Sequence, residues 1–460
     1  MGKPRILTES KGARWLALLC LAIPMFGSYF FADMFSPLSE VFRSAENVAL
    51  GWDATDYGLY TGAYSVLCVF GGLIFCGMLL DRWGVRLTGS VFVGLMVAGA
   101  ALAGFSMSDS FAEGSLASWM GRYFEKPSLA LATAGFAVFG LGSEIAGVVV
   151  NRAIAKWFKN REMALAMGVQ LSLARLGKAT ALLSVPYLIA YEGGFLSRPM
   201  IMTVVWVGMG LLLLSGVVWV VFALMDTRLD RQSEEARRIA AQVAEEQKDD
   251  FRWSDVWKVL SNRNFLLISL LCVSFYCCII SFGKFASAVA IPRFGIDFKV
   301  AGQMISMIPF CTIVFAPLFG HWVDRWGHGT RFMLVGACLV LLAHLIIAFA
   351  PGQPIFGFLG IGILGIGYSL VPAAMWPSVP KIIPEKNLGT AYSLIYWVQN
   401  IGMMMVPIWV GRIFDTSGNP VHVEILFIAL AVIAIAVALV FLYSSKKHPE
   451  LGLDKAAQRD

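Results

Sequence analysis

Runs of about twenty predominantly apolar residues alternate with short polar connections along this chain. Twelve such runs begin near Trp15, Tyr57, Leu87, Leu129, Glu162, Pro199, Phe265, Lys299, Phe332, Pro354, Leu388 and Val421. At about 1.5 Å per residue, each run matches the roughly 30 Å hydrocarbon core of a bilayer. Lipid offers the backbone no hydrogen-bond partner, so each run predicts a membrane-spanning α-helix whose polar groups are satisfied internally. The first run holds Pro24, Tyr29 and Asp33 and lacks a small-residue cleavage site. It is therefore expected to stay as a helix and not to be removed as a signal peptide. The fold class these runs predict is an all-α membrane protein with about twelve transmembrane helices.

One long polar stretch interrupts the pattern, from Asp226 to Asn262, carrying Glu234, Glu235, Arg237, Arg238, Glu245, Glu246, Asp249 and Asp250. It divides the chain into an N-terminal bundle of six helices (1–225), a cytoplasmic linker (226–262) and a C-terminal bundle with a short tail (263–460). Ser233, followed by acidic and alanine-rich sequence, is a candidate cap for a short amphipathic helix within the solvated linker. Composition agrees: of 460 residues 58% are hydrophobic and only 14% charged, with a mean hydropathy of +0.71. That is too apolar for a chain whose whole surface meets water. The eight cysteines lie in apolar stretches, so neither disulfides nor a metal site is expected. If both termini are cytoplasmic, the opposite loops hold only Arg43, Arg122, Lys126, Arg198, Arg293, Lys299 and Arg412 of the 36 Lys and Arg residues. The positive-inside rule thus accounts for the net charge of +6 without a nucleic-acid partner.

The two halves carry internal matches. Gly77-Met-Leu-Leu-Asp81-Arg82-Trp83-Gly84-Val-Arg86 recurs as Gly320-His-Trp-Val-Asp324-Arg325-Trp326-Gly327. Gly140-Leu-Gly142-Ser-Glu144 aligns with Gly365-Ile-Gly367-Tyr-Ser369, and the same frame carries Lys156 onto Lys381 and Gly177 onto Gly402. The Gly77–Arg86 segment resembles the signature loop of the major facilitator superfamily, between helices two and three. The resemblance covers the whole chain and implies two pseudo-symmetric six-helix bundles. It also implies a gating role for Gly77, Asp81, Arg82, Gly84 and Arg86, with Asp324 and Arg325 in the second copy. Physically, Asp81 can pair with Arg82 or Arg86, or cap a neighbouring helix, and so latch the halves on the cytoplasmic side.

Charges at bilayer depth cost about 2.5–3.5 kcal/mol each on insertion scales, so Glu144, Arg175 and Lys284 need a reason. Glu144 lies twelve residues before Lys156, and Arg175 fourteen after Arg161. Both are then roughly 18–21 Å from the cytoplasmic face, near mid-bilayer on adjacent helices. A buried pair that neutralises itself and stitches those helices together is one reading. Against it, the repeat places Ser369 and Asn400 at the matching positions, so the same packing is managed there without charge. The other reading is a receptor for a zwitterion, with Glu144 accepting from an ammonium group and Arg175 holding a carboxylate bidentately.

Gly140 to Glu144, Trp157-Phe158-Lys159, Gln170 to Gly177, Gly283-Lys284, Gly367-Tyr368-Ser369, Trp376-Pro377 and Leu388 to Tyr392 together resemble the lysosomal dipeptide transporter branch of the superfamily. That likeness implies a facilitative dipeptide carrier in which Glu144 holds the amino end and Arg175 the carboxyl end. The segment before Trp15 is basic and lacks an acidic dileucine signal, and the chain has no Asn-X-Ser/Thr sequon. A plasma (inner) membrane location with both termini cytoplasmic is therefore expected rather than a lysosomal one. A monomer without an accessory subunit is expected, with a small zwitterion and the lipid bilayer as its partners.

Lys284 either neutralises a substrate carboxylate or snorkels outward. Tyr29, Asp33, Tyr368, Trp376, Tyr392, Gln399 and Asn400 are candidates to line the cavity. His344 is read as a packing residue. Pro372, Pro377, Pro380 and Pro384, with Pro309, Pro317 and Pro407, mark candidate bending helices, whereas Gly62 and Gly71-Gly72 serve close packing. No nucleophile–base set, metal cluster or phosphate loop points to an enzyme, and no cofactor is expected. Three alternatives remain open: a proton-coupled symporter in which Glu144 or Asp33 titrates, an organic-anion carrier using Arg175 and Lys284, and a non-transporting sensor.

Overall fold

A computed structural model of the chain describes residues 7–43, 49–158, 162–189, 197–240, 253–384 and 387–456. Helix α1 (Lys11–Asp33) starts at Ser10, whose hydroxyl accepts the Ala13 N–H. Helix α2 begins as Ala54–Ala63 behind an Asp53–Asp56 capping box, passes a π-helical turn at Cys68–Gly72 and continues into Leu73–Ser106. Gly84, at φ 72°, breaks that last segment into the end of α2 and the whole of α3. Next in the chain come α4 (Pro127–Trp157), α5 (Met163–Leu188) and α6 (Arg198–Ala240). In the second half, α7 runs as Arg263–Tyr276, a π turn Cys277–Ser281 and Phe282–Phe294. It leads to α8 (Phe298–Trp326), α9 (Gly329–Phe349), α10 (Pro354–Ile382), α11 (Leu388–Ser417) and α12 (Pro420–Lys447). Proline at the first position of α4, α10 and α12 fits a site where its missing N–H costs nothing.

Among the described residues, ten helices are long and apolar enough to cross a bilayer. The two remaining crossings are α2, interrupted by its π turn, and α5, which carries Arg175 and Lys178. Irregular backbone inside α2 falls at Phe70 and at Gly71, φ 102°, so Gly71 supplies a conformation that other residues rarely adopt. The close-packing role expected of Gly62 holds, since a Cβ there would lie 2.5 Å from the Met404 carbonyl oxygen on α11.

The duplication is built into the packing. A Cβ on Gly140 would lie 2.0 Å from the Tyr64 carbonyl oxygen on α2, and its counterpart Gly365 meets Cys311 on α8. A Cβ on Gly177 would lie 2.2 Å from the Phe26 carbonyl oxygen on α1, and Gly402 meets Cys277 on α7. Gly142 packs on α3 and Gly367 on α9. Each aligned glycine thus admits the corresponding helix of its own half. The paired loop glycines behave alike, with Gly84 at φ 72° and Gly327 at φ 69°.

The halves meet along α1–α7, α2–α11 and α5–α8. On the face opposite both chain ends, Asp415 of α11 accepts the backbone N–H groups of Ala54 and Thr55 at 3.1 and 2.7 Å, capping α2 from the other half. On that same face Ser39 Oγ lies 2.7 Å from Ser287 Oγ, and the Gln303 amide donates to the Tyr187 hydroxyl at 3.0 Å. Trp397 Nε1 reaches the Val69 carbonyl at 2.7 Å nearer mid-depth. The face opposite the chain ends is therefore closed.

The polar stretch between halves is partly helical: α6 runs unbroken through Ser233 to Ala240, so no helix begins at Ser233. Asp226 is buried and accepts Lys156 Nζ at 2.9 Å and Trp157 Nε1 at 2.8 Å, which ties α6 to the end of α4. The rest of the linker between Ala240 and the Trp253–Leu260 helix lies outside the described residues.

Candidate functional site

Glu144 projects from α4 at mid-depth beside Tyr64, because the side-chain-free surface of Gly140 lets α2 come against α4 one turn away. The Tyr64 hydroxyl lies 3.0 Å from Glu144 Oε1 and 2.9 Å from Ser143 Oγ, and Ser143 Oγ lies 2.5 Å from Ser28 Oγ on α1. Arg175 on α5 donates from Nη1 to the Thr312 carbonyl of α8 at 3.2 Å, so its guanidinium crosses to the second half. No ion pair joins Glu144 to Arg175 among the described residues. The self-neutralising pair is not formed.

Tyr29 on α1 lies within Coulombic range of Glu144, Arg175, Tyr368 and Tyr396. The structure thereby gathers Glu144, Arg175, Tyr29 and Tyr368 about one central region. The wall supplied by the second half is aromatic: Trp376 stacks on Tyr396 at 5.1 Å and lies 5.9 Å from Tyr392. Trp376 Nε1 donates to the Tyr276 hydroxyl at 3.0 Å, and Tyr276 meets Tyr368 edge-on at 5.9 Å. Asn400 is buried and its amide bonds back to the Tyr396 carbonyl at 3.0 Å, while Gln399 accepts from the Cys272 thiol.

Lys284 sits towards the closed face. Its ammonium lies 2.8 Å from Asp33 Oδ1, and Lys178 of α5 reaches the same oxygen at 3.2 Å. His344 is paired too, with Nδ1 2.7 Å from Glu424 Oε2 inside the second half. Lys178, Tyr64, Tyr276, Tyr396 and Glu424 escaped sequence reasoning. Lys178 had an available signal: it stands three residues after Arg175, on the same helical face and about 4.5 Å nearer the face opposite the chain ends.

Of the signature loop, Arg86 lies 3.8 Å from Asp226, and Arg82, Asp324 and Arg325 are exposed. The side chains of Asp81 and Gly77's neighbours lie outside the described residues. In the second half the loop is clasped by the chain's own tail: the His328 N–H donates to the Asp454 carbonyl at 2.9 Å, and Asp454 Oδ1 accepts the Thr330 N–H at 2.9 Å. Lys381, the counterpart of Lys156, donates to the Gly452 carbonyl at 3.1 Å. The lysine that ends the fourth helix of each half thus anchors the C-terminal end of that half, Asp226 on α6 in the first and the tail beyond α12 in the second.

The profile of the Major Facilitator Superfamily matches residues 17–291 and 275–459. The lysosomal dipeptide transporter MFSD1 of Danio rerio is 28% identical over 456 residues, 97% of this chain and 90% of that protein. Its Homo sapiens counterpart is 27% identical over 454 residues, with the same two shares. An uncharacterized MFS-type transporter of Bacillus subtilis, YwoD, is 26% identical over 42% of this chain and 43% of its own. Among solved structures, the xylose transporter XylE from E. coli, in a partially occluded inward-open conformation, superposes with a TM-score of 0.69 at 12% identity, covering 94% of this chain and 97% of that one. The nucleoside transporter NupG gives 0.64 at 13% identity, covering 94% and 99%. Two profile matches spanning both bundles, and relatives that are membrane transporters and not enzymes, place the molecule: the chain belongs to the Major Facilitator Superfamily.

Proposed function

We propose that this transporter carries dipeptides or similar small zwitterions by alternating access, as a facilitative uniporter, with Glu144 taking the amino end and Arg175 the carboxyl end. One observation carries the reading. The two opposite charges stand in one central region, yet each is held by a neutral partner, Tyr64 or the Thr312 carbonyl, and not by the other. A carboxylate held by one hydroxyl keeps acceptor capacity for an ammonium, and a guanidinium spending one donor keeps a fork for a carboxylate. Because Arg175 already contacts α8, a ligand replacing that carbonyl draws on both halves, which is what a site between rocking bundles requires. The MFSD1 relatives, named as dipeptide transporters, support the substrate class.

Asp33 is engaged by two lysines, which makes it a poor coupling acid and leaves Glu144 as the candidate of the symporter reading, and Lys284 is engaged by Asp33, which argues against an anion site shared with Arg175. The location proposed is the inner (plasma) membrane, with both termini cytoplasmic, the orientation that the lysine and arginine distribution favours. On that orientation the closed face is the non-cytoplasmic one.

Uptake into proteoliposomes tests the reading with a dipeptide, its N-acetylated form and its C-amidated form, with and without a pH gradient. The free dipeptide is transported, both blocked forms are not, and the gradient leaves the initial rate unchanged. Equal transport of all three would sink the two-ended clamp, and strict dependence on the gradient would sink uniport.

A further inference from the structure

Asp33, in the last turn of α1, serves two lysines with one oxygen: Lys284 Nζ at 2.8 Å and Lys178 Nζ at 3.2 Å. Asp33 and Lys284 are buried, and the Lys178 side chain is 18% exposed. The Lys284 ammonium also donates to the Ala32 carbonyl at 2.6 Å, and the Tyr57 hydroxyl donates to the Lys284 carbonyl at 3.2 Å. Next to this cluster lies the Ser39–Ser287 contact, and Ser287 donates to the Ser36 carbonyl at 3.0 Å. Helices α1 and α5 belong to the first half and α7 to the second. The Asp33–Lys284 bond therefore crosses the interface between halves, and the Asp33–Lys178 bond does not.

In the closed arrangement one ammonium already neutralises the carboxylate. A second buried cation adds desolvation cost without a new anion to meet it. Its use lies in the other state of the cycle. When the halves part on this face, Lys284 leaves with α7 and would strand Asp33 as an unpaired carboxylate in the wall of the cavity. Lys178 travels with Asp33 and is in contact with it beforehand.

We propose that Asp33, Lys178 and Lys284 form a charge-exchange latch, in which Asp33 is shared between the halves when this face is closed and passes wholly to Lys178 when it opens. Lys178 is a positioning residue for the conformational step, and the inference rests on alternating access alone, whatever the substrate. It assigns opposite effects to the two lysines. Lys284→Met removes the bond between halves and leaves a balanced Asp33–Lys178 pair, which favours the open state. Lys178→Met leaves the bond between halves intact and strips Asp33 of its resident partner, which favours the closed state.

Double electron–electron resonance on the full chain in liposomes reads this directly. Spin labels at Glu113→Cys and Thr416→Cys, exposed positions on that face in opposite halves, are placed on a transport-active background whose eight cysteines are replaced. Relative to that parent, Lys284→Met raises the long-distance population at least about threefold, Lys178→Met lowers it, and Lys284→Arg leaves it unchanged. If Lys284→Met does not fold, Lys284→Gln takes its place. A shift of both lysine variants in the same direction, or of neither, overturns the latch. So does failure of Lys178→Met to fold, because that would place the role of Lys178 in the closed state.

Discussion

Replacing Glu144 by Gln removes one negative charge and little else. Gln keeps a carbonyl oxygen where Oε1 now lies 3.0 Å from the Tyr64 hydroxyl, so the contact between α2 and α4 survives and the fold should too. The loss is a charge-assisted bond to a substrate ammonium, worth about 1.5–3 kcal/mol. At about 1.4 kcal/mol per tenfold, the free dipeptide should bind roughly ten- to a hundredfold more weakly. Weakening alone would not identify the partner. N-acetylation of the dipeptide deletes the same bond from the other side, so the two changes form a double-mutant cycle across the binding contact. Dissociation constants are measured by calorimetric titration of the purified protein, for wild type and Glu144→Gln with free and acetylated dipeptide. Each single change should cost the full amount, and the second change should then cost almost nothing. Losses that add within about 0.5 kcal/mol would show that Glu144 and the amino group act independently, and the assignment of Glu144 would fall.

Gly140→Ala sets a Cβ against the Tyr64 carbonyl oxygen, separating α2 from α4; we expect a loss of about 1–3 kcal/mol in stability, seen as a lower Tm in detergent, together with weakened transport. Asp454→Ala removes a carboxylate that accepts the Thr330 N–H at the start of α9, and should cost about 1 kcal/mol by thermal unfolding while leaving substrate affinity unchanged. Burial alone would raise the Asp53 pKa, but the Asp56 N–H and the Lys126 ammonium outweigh it and hold the Asp53 carboxyl below its ordinary 3.8. That contribution is fully present above pH 3.8 and is lost as pH falls through the lowered value. Thermal unfolding between neutral pH and pH 3 should therefore show a steeper acid loss for the wild type than for Asp53→Asn, and parallel curves would refute the role.

The helices were legible because lipid makes hydropathy nearly sufficient, and the duplication because glycines at helix contacts tolerate nothing larger. Gly140, Gly142 and Gly177 align with Gly365, Gly367 and Gly402, and each aligned pair meets corresponding helices. Depth was legible as well: counting from Lys156 placed Glu144 where the structure puts it, within reach of Tyr29 and Tyr64. Rotation about each helix axis was not. A periodicity argument gives the level of a side chain in the bilayer, but whether Asn400 faces a cavity or its own helix depends on packing, and its amide turns back to Tyr396. The partners of Lys284 were hidden for a related reason. They come from α1, 251 residues away in the case of Asp33, and only the closed face brings them together.

The repeat frame gains its meaning from the different use each half makes of the same position. Where the first half has Glu144, the second has Ser369, whose hydroxyl bonds to the Gly365 carbonyl of its own helix. The second half offers aromatic surface instead, with Trp376 packed among Tyr276, Tyr392 and Tyr396. A small zwitterion has two charged ends and an uncharged remainder. On the proposed assignment, charges confined to one bundle would fix the ends without requiring the other bundle to reproduce them in every state, and an aromatic wall would tolerate displacement because stacking has no single required donor geometry. Arg175 is the exception, since it reaches Thr312 in the second half. A carboxylate that captures that guanidinium would release α8 from α5 and substitute its own contacts. On the proposed assignment, the carboxyl end of the substrate is thus the one able to report occupancy to the interface between the bundles.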